Sequence, residues 1–188
     1  MITLVTGYMR QGTTLAMKCL EAGGMDILYD EKRDEFNRKR SDERYKLNPG
    51  SLCEPLPKVM RNPGFPRTYD GMAIKLVVFE LHRAAVHSYR VLFMIRDLEE
   101  TRQSVEAGLG QQVSSEYIGR KCSEAYKHLE NRKDVHEIIT IDYRDLVNTP
   151  RKALLPLCEK WRLSLDAAAS IPDSAHYRFR LEELNIGA

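Results

Sequence analysis

The sequence predicts one α/β domain in three layers, a central parallel sheet flanked by helices. Three observations predict it. Short apolar, β-branched runs alternate with segments of helical composition, and such alternation implies right-handed crossovers between parallel strands. The first run leads through a glycine-containing loop straight into a helix. The length, 188 residues, suits one domain with a substantial core and is too short for two ordinary ones.

The elements follow in order. Ile2 to Thr6 is short, apolar and β-branched and reads as a strand; Thr14 to Glu21 has helical composition, and Gly23-Gly24 supplies a left-handed cap that closes it. Met25 to Tyr29 reads as a second short strand. Glu31 to Lys46 carries seven basic and five acidic residues with few apolar anchors, the pattern of a solvated helix or mobile loop, or else of a lid or acceptor-binding element. Asn48 to Tyr69 holds five of the eight prolines and reads as a loop-rich insertion. Ile74 to Phe79 is then expected as a buried strand, Glu80 to Ser88 as a helix and Arg90 to Ile95 as a strand. Leu98 to Ala107 and Ser115 to Arg132 are helical in pattern, His136 to Ile141 is a strand, and Arg151 to Trp161 is a helix that begins after Pro150. The chain has no internal repeat and no low-complexity tract.

Composition narrows the function classes. With 43% hydrophobic and 30% charged residues the chain is globular in type. Its 29 basic and 27 acidic residues leave a formal charge of only +2, so nothing draws the whole molecule to nucleic acid or a membrane, and any anion site is local. Cys19, Cys53, Cys122 and Cys158 lie too far apart for a zinc site or a CxxC motif and read as free thiols of a reducing compartment. Ile2 to Val5 is too short for a signal-peptide core, and no stretch approaches the roughly 20 apolar residues of a membrane span. A cytoplasmic protein is expected.

Gly7-Tyr8-Met9-Arg10-Gln11-Gly12-Thr13-Thr14 has the two glycines of a P-loop at the right separation, with Thr13 where that motif carries lysine. Backbone N–H groups of the loop and of the following helix N-terminus favour an anion there. Thr13 and Thr14 add hydroxyls, and Arg10 supplies positive charge.

Arg10-Gln11-Gly12-Thr13-Thr14, directly after the first strand, resembles the 5′-phosphosulfate loop of sulfotransferases. A second signature of that family is a strand ending in Arg with a Ser eight residues on. Val91 to Arg96, followed by Ser104, is similar. Tyr143 to Pro150 resembles the family's Tyr-x-Asp-Leu-x-x-x-Pro stretch, and the three matches stand in the family's order. The resemblance implies a P-loop NTPase-like fold over residues 1–188 and 3′-phosphoadenosine 5′-phosphosulfate as co-substrate, without a metal. It implies that Gly7, Gln11, Gly12, Thr13 and Thr14 surround the 5′-phosphate and that Arg10 faces the leaving phosphate and the transferring group. Arg96 and Ser104 would hold the 3′-phosphate, and Tyr143 would pack near the adenine. The acceptor would be a hydroxyl or amine of a small molecule or glycan, met by the 31–70 insertion.

The sequence departs from the pattern in places. Cytosolic members carry a catalytic His shortly after an Ile-Lys pair; here Ile74-Lys75 resembles the pair and Val77 takes the position of the His. Other members carry a Glu-Pro-Leu tripeptide, which Cys53-Glu54-Pro55-Leu56 resembles, and a partly desolvated Glu54 would serve as base. His82 and His87 follow on the expected helix as surface or core positions or as weaker candidates for the base. Gln11 replaces the usual serine, and no Arg-Lys-Gly triplet appears near the C-terminus, where Arg178 and Arg180 either cover the nucleotide or lie on a surface helix.

Two other readings stay open. One is a P-loop kinase using magnesium and ATP, with Ile138 to Asp142 as the strand ending in the magnesium-linked Asp, against which the missing loop lysine argues. The other is a non-catalytic nucleotide-binding module.

Overall fold

The computed structural model describes residues 1–32, 35, 64 and 68–174. Among these described residues the centre is a five-stranded sheet in the order β2-β3-β1-β4-β5, with every neighbouring pair parallel. The strands are β1 (Ile2–Thr6), β2 (Ile27–Leu28), β3 (Ala73–Lys75), β4 (Tyr89–Ile95) and β5 (Val135–Asp142). The helices are α1 (Thr13–Ala22), α2 (Leu98–Leu109), α3 (Ser115–Glu130), α4 (Tyr143–Asn148), α5 (Pro150–Trp161) and α6 (Leu165–Ala169).

Strand β1 lies mid-sheet and is buried along its whole length, Thr3 and Thr6 included, as a strand covered on both faces by helices is. Alternate side chains still part to opposite faces. Val5, Leu92 and Met94 join Met17 and Leu20 of α1 and Leu154, Leu157 and Trp161 of α5 in one core. Leu4, Val91 and Phe93 face the other way, onto Ala125 and Leu129 of α3. A smaller cluster of Tyr8, Val105 and Ile118 links the loop after β1 to α2 and α3.

The α/β fold, the parallel sheet and most elements agree with the sequence reading. The stretch Ile74 to Phe79 does not. β3 ends at Lys75, after which the amides of Leu76 and Val78 donate to the carbonyls of Val5 and Gly7, so the chain follows the loop beyond β1 instead of extending the sheet. The helix expected over Glu80 to Ser88 is a 3-10 turn, Val78–Arg83. It stops at extended Ala84, and Arg132 donates to the carbonyls of Ala84 and Ala85. Gly24, at φ 100°, is the left-handed residue after α1, while Gly23 stays right-handed. Helices α4 and α6 have six and five residues, too few for a periodic pattern to declare them.

Candidate functional site

The loop from Gly7 to Gly12 is held by close approach and by strain. A Cβ on Gly7 would stand 2.7 Å from the carbonyl oxygen of Met94. Gly12 has φ 90°, and a Cβ there would lie 2.3 Å from the Tyr143 ring. Arg10 is a non-glycine residue at φ 70°, a left-handed conformation that costs about 1–2 kcal/mol and persists where surrounding contacts impose it. Those contacts are present. The Gln11 amide donates to the carbonyl of Tyr8, the Tyr8 amide donates back to Gln11 Oε1 at 2.8 Å, and Arg96 Nη1 donates to the Arg10 carbonyl at 3.3 Å. Gln11 Oε1 also accepts from the thiol of Cys122 at 3.6 Å. Burial pushes that thiol up from its ordinary value, which keeps it protonated as a donor. The Gln11 side chain is thus turned inward as a staple of the loop.

Helix α1 begins after Gly12 without a capping side chain and without an acidic residue in its first turn. Helices α2, α3 and α4 each start on an Asp or Ser that accepts from first-turn amides and carry an acid in that turn. An uncapped amino end attracts an anion, and a lysine lies beside it. Lys75, at the carboxyl end of β3 and in register with Val5, donates from Nζ to Thr14 Oγ1 at 3.1 Å with only 6% of the residue exposed. An ammonium therefore stands at the start of α1, brought there by the neighbouring strand and not by the loop. Thr13 is buried at the same helix start.

A second group of charges flanks the loop. Arg96 follows β4, and its guanidinium lies 4.6 Å over the Tyr143 ring and donates from Nε to Glu100 Oε2 at 3.1 Å. Both side chains of that ion pair are buried, at 5% and 4% exposure. Arg10 Nε donates to Ser104 Oγ at 3.1 Å. One turn further along α2, Gly108 makes room for the Arg10 guanidinium, since a Cβ there would stand 3.3 Å from Arg10 Cζ. Arg10, Arg96, Ser104, Gly12 and Tyr143 thus form one network, while Thr13, Thr14 and Lys75 gather at the start of α1.

Both groups sit at the carboxyl ends of β3, β1 and β4. There the chain order turns to opposite sides of β1, the position at which open α/β sheets bind ligands. The fold is shared with a sulfotransferase domain. The domain is that of the Synechococcus PCC 7002 olefin synthase, similar at TM-score 0.55 and 14% identity over 98% of this chain and 82% of that one. A sugar kinase from Janibacter sp. HTCC2649 matches at TM-score 0.39 and 12% identity, over 91% of this chain and 97% of that one. No protein-family model matches the sequence, and no curated protein matches it.

The other candidates fall elsewhere. Glu54, Arg178 and Arg180 lie outside the described residues. His82 is exposed on the 3-10 turn; His87 precedes β4, at the opposite end of the sheet from the loop, and pairs with Asp70. Asp142 ends β5, which β4 separates from β1, and its carboxylate accepts from the Arg144 amide at 2.7 Å as the cap of α4. Sequence reasoning passed over Lys75, Glu100 and Gly108 as site residues. Lys75 alone carried a signal, a lysine set inside the otherwise apolar run Ile74 to Phe79.

Proposed function

We propose that the chain is a sulfotransferase that takes 3′-phosphoadenosine 5′-phosphosulfate as donor and passes the sulfuryl group to a hydroxyl or amine of a small molecule or glycan. The observation that carries this reading is the Lys75 ammonium on Thr14 at the uncapped start of α1, beside the Arg10–Arg96–Ser104 network. Two separate cationic positions suit a nucleotide with phosphate groups at both its 5′ and 3′ ends. The loop and α1 amides, Thr13, Thr14 and Lys75 would receive the 5′-phosphate, and Arg96 with Ser104 the 3′-phosphate.

The donor brings a sulfuryl group on a phosphate leaving group, and loose transfer of this kind asks for positioning and charge stabilisation above all. Lys75 and the α1 amides would offset the charge that grows on the leaving 5′-phosphate. Arg10 is assigned to the leaving phosphate and the transferring group, and Glu54 to the acceptor proton. On the strand beside β1 a P-loop kinase would place the carboxylate that holds magnesium; β3 ends there in Lys75 instead, and Asp142 is spent on capping α4. These residues favour the sulfuryl donor over magnesium-ATP.

Calorimetric titration with adenosine 3′,5′-bisphosphate, beside ATP with magnesium, tests the reading. Tight binding of the bisphosphate alone supports it, and preference for magnesium-ATP overturns it in favour of a kinase. Bisphosphate binding without transfer to any of a broad acceptor panel would leave a nucleotide-binding module. Arg96→Ala is expected to weaken the bisphosphate far more than adenosine 5′-phosphate, because a charge-assisted contact to the 3′ group is lost.

A further inference from the structure

We propose that Glu100 is the resident counter-charge of the Arg96 anion site and sets how tightly a 3′-phosphate is held there. This rests on the reading of Arg96 as the 3′-phosphate ligand. Glu100, in the first turn of α2, lies four residues after Arg96, and the two side chains pair at 3.1 Å in near-complete burial. The start of α2 fixes the backbone from which the carboxylate projects. Asp97 Oδ1 accepts from the amides of Glu99 and Glu100 at 2.8 and 3.0 Å, and the Thr101 hydroxyl donates to the Asp97 carbonyl at 2.7 Å. The guanidinium is fixed from three sides, by Glu100, by the Arg10 carbonyl and by the Tyr143 ring.

The guanidinium is held on several sides and both side chains are buried, so a phosphate that reaches it meets the carboxylate as a near neighbour across one planar group. Like charge at such a distance opposes the phosphate, most strongly where water is scarce. The pair also stands inside the network that joins the loop to α2, not in the apolar clusters on the sheet faces. Glu100 therefore offsets part of the attraction of Arg96, and the site grips its phosphate reversibly. A nucleotide lacking the 3′-phosphate is largely indifferent to it.

Titration calorimetry on the full chain and on Glu100→Gln, with adenosine 3′,5′-bisphosphate and with adenosine 5′-phosphate, tests this. Glutamine keeps the shape and one acceptor oxygen and removes the charge. The bisphosphate is expected to bind about tenfold tighter or more, and the 5′-phosphate to change by less than about threefold. A folded variant that binds the bisphosphate no better than the wild type overturns the proposal, since a merely structural role would weaken both ligands. Should Glu100→Gln not fold, Glu100→Asp withdraws the charge by one methylene: tighter bisphosphate binding alone supports the proposal, and unchanged or weaker binding overturns it. Equal affinity of the wild type for the two nucleotides removes the 3′-phosphate reading and the proposal together. A wild-type preference with no gain in the variant overturns only the proposal.

Discussion

Arg10 and Ser104 stand 94 residues apart in the chain and meet through a 3.1 Å hydrogen bond from guanidinium to hydroxyl. The bond straps the loop after β1 to α2, so the loop residue at φ 70° is held partly by the helix that follows β4.

Ser104→Ala removes that strap without disturbing a helix position. A single hydrogen bond to a charged group contributes about 1.5–3 kcal/mol, so bisphosphate affinity should fall by about tenfold to a hundredfold. Calorimetry checks the affinity, and an unchanged circular dichroism spectrum separates it from misfolding.

Lys75→Met should separate binding from stability. Loss of the ammonium on Thr14 is expected to weaken adenosine 5′-phosphate by at least about tenfold. Thermal melting should show little loss, since methionine fills the same buried space without a charge to desolvate. A large fall in Tm with unchanged affinity would count against Lys75 as a phosphate ligand.

Gly12→Ala meets two obstacles, the positive φ and the Tyr143 ring. Together they should cost more than about 2 kcal/mol of stability. Adding Tyr143→Ala should restore the steric share and leave the backbone share, which denaturant melts of the single and double variants would resolve.

Acid should loosen the amino end of the sheet. Asp134 is held down to about 2 by hydrogen bonds from the Arg132 guanidinium, and the His87 amide acts in the same direction. With a folded value below the unfolded one of about 3.9, its contribution is present above that pH and disappears as pH falls toward about 2. Unfolding curves across this range should lose part of their pH dependence in Asp134→Asn.

Much of this was legible in the sequence. The β-branched run of β1 and the glycines of the loop carry their meaning locally, through composition and backbone freedom, whereas the link from Arg96 to Ser104, which runs through Arg10, was approached only as a family resemblance. The place of Lys75 beside Thr14 was not legible, because it depends on the pairing of β3 with β1, a contact across 70 residues that no local pattern states. The Ile74 to Phe79 run misled for a related reason. Its apolar side chains are buried as a strand's would be, yet Leu76 packs beneath the sheet and Val78 against Tyr8 and its neighbours, while the backbone donors turn to Val5 and Gly7.

The placement of Lys75 makes the smallest part of the sheet answerable to the ligand. β2 and β3 have two and three residues, so this edge has few ladder bonds with which to resist local opening. A phosphate bound between α1 and Lys75 would act as a rivet through that edge, and nucleotide would slow amide exchange at Ala73, Ile74 and Leu76 while leaving β5 unaffected. Occupancy and the integrity of the edge then become two readings of one equilibrium.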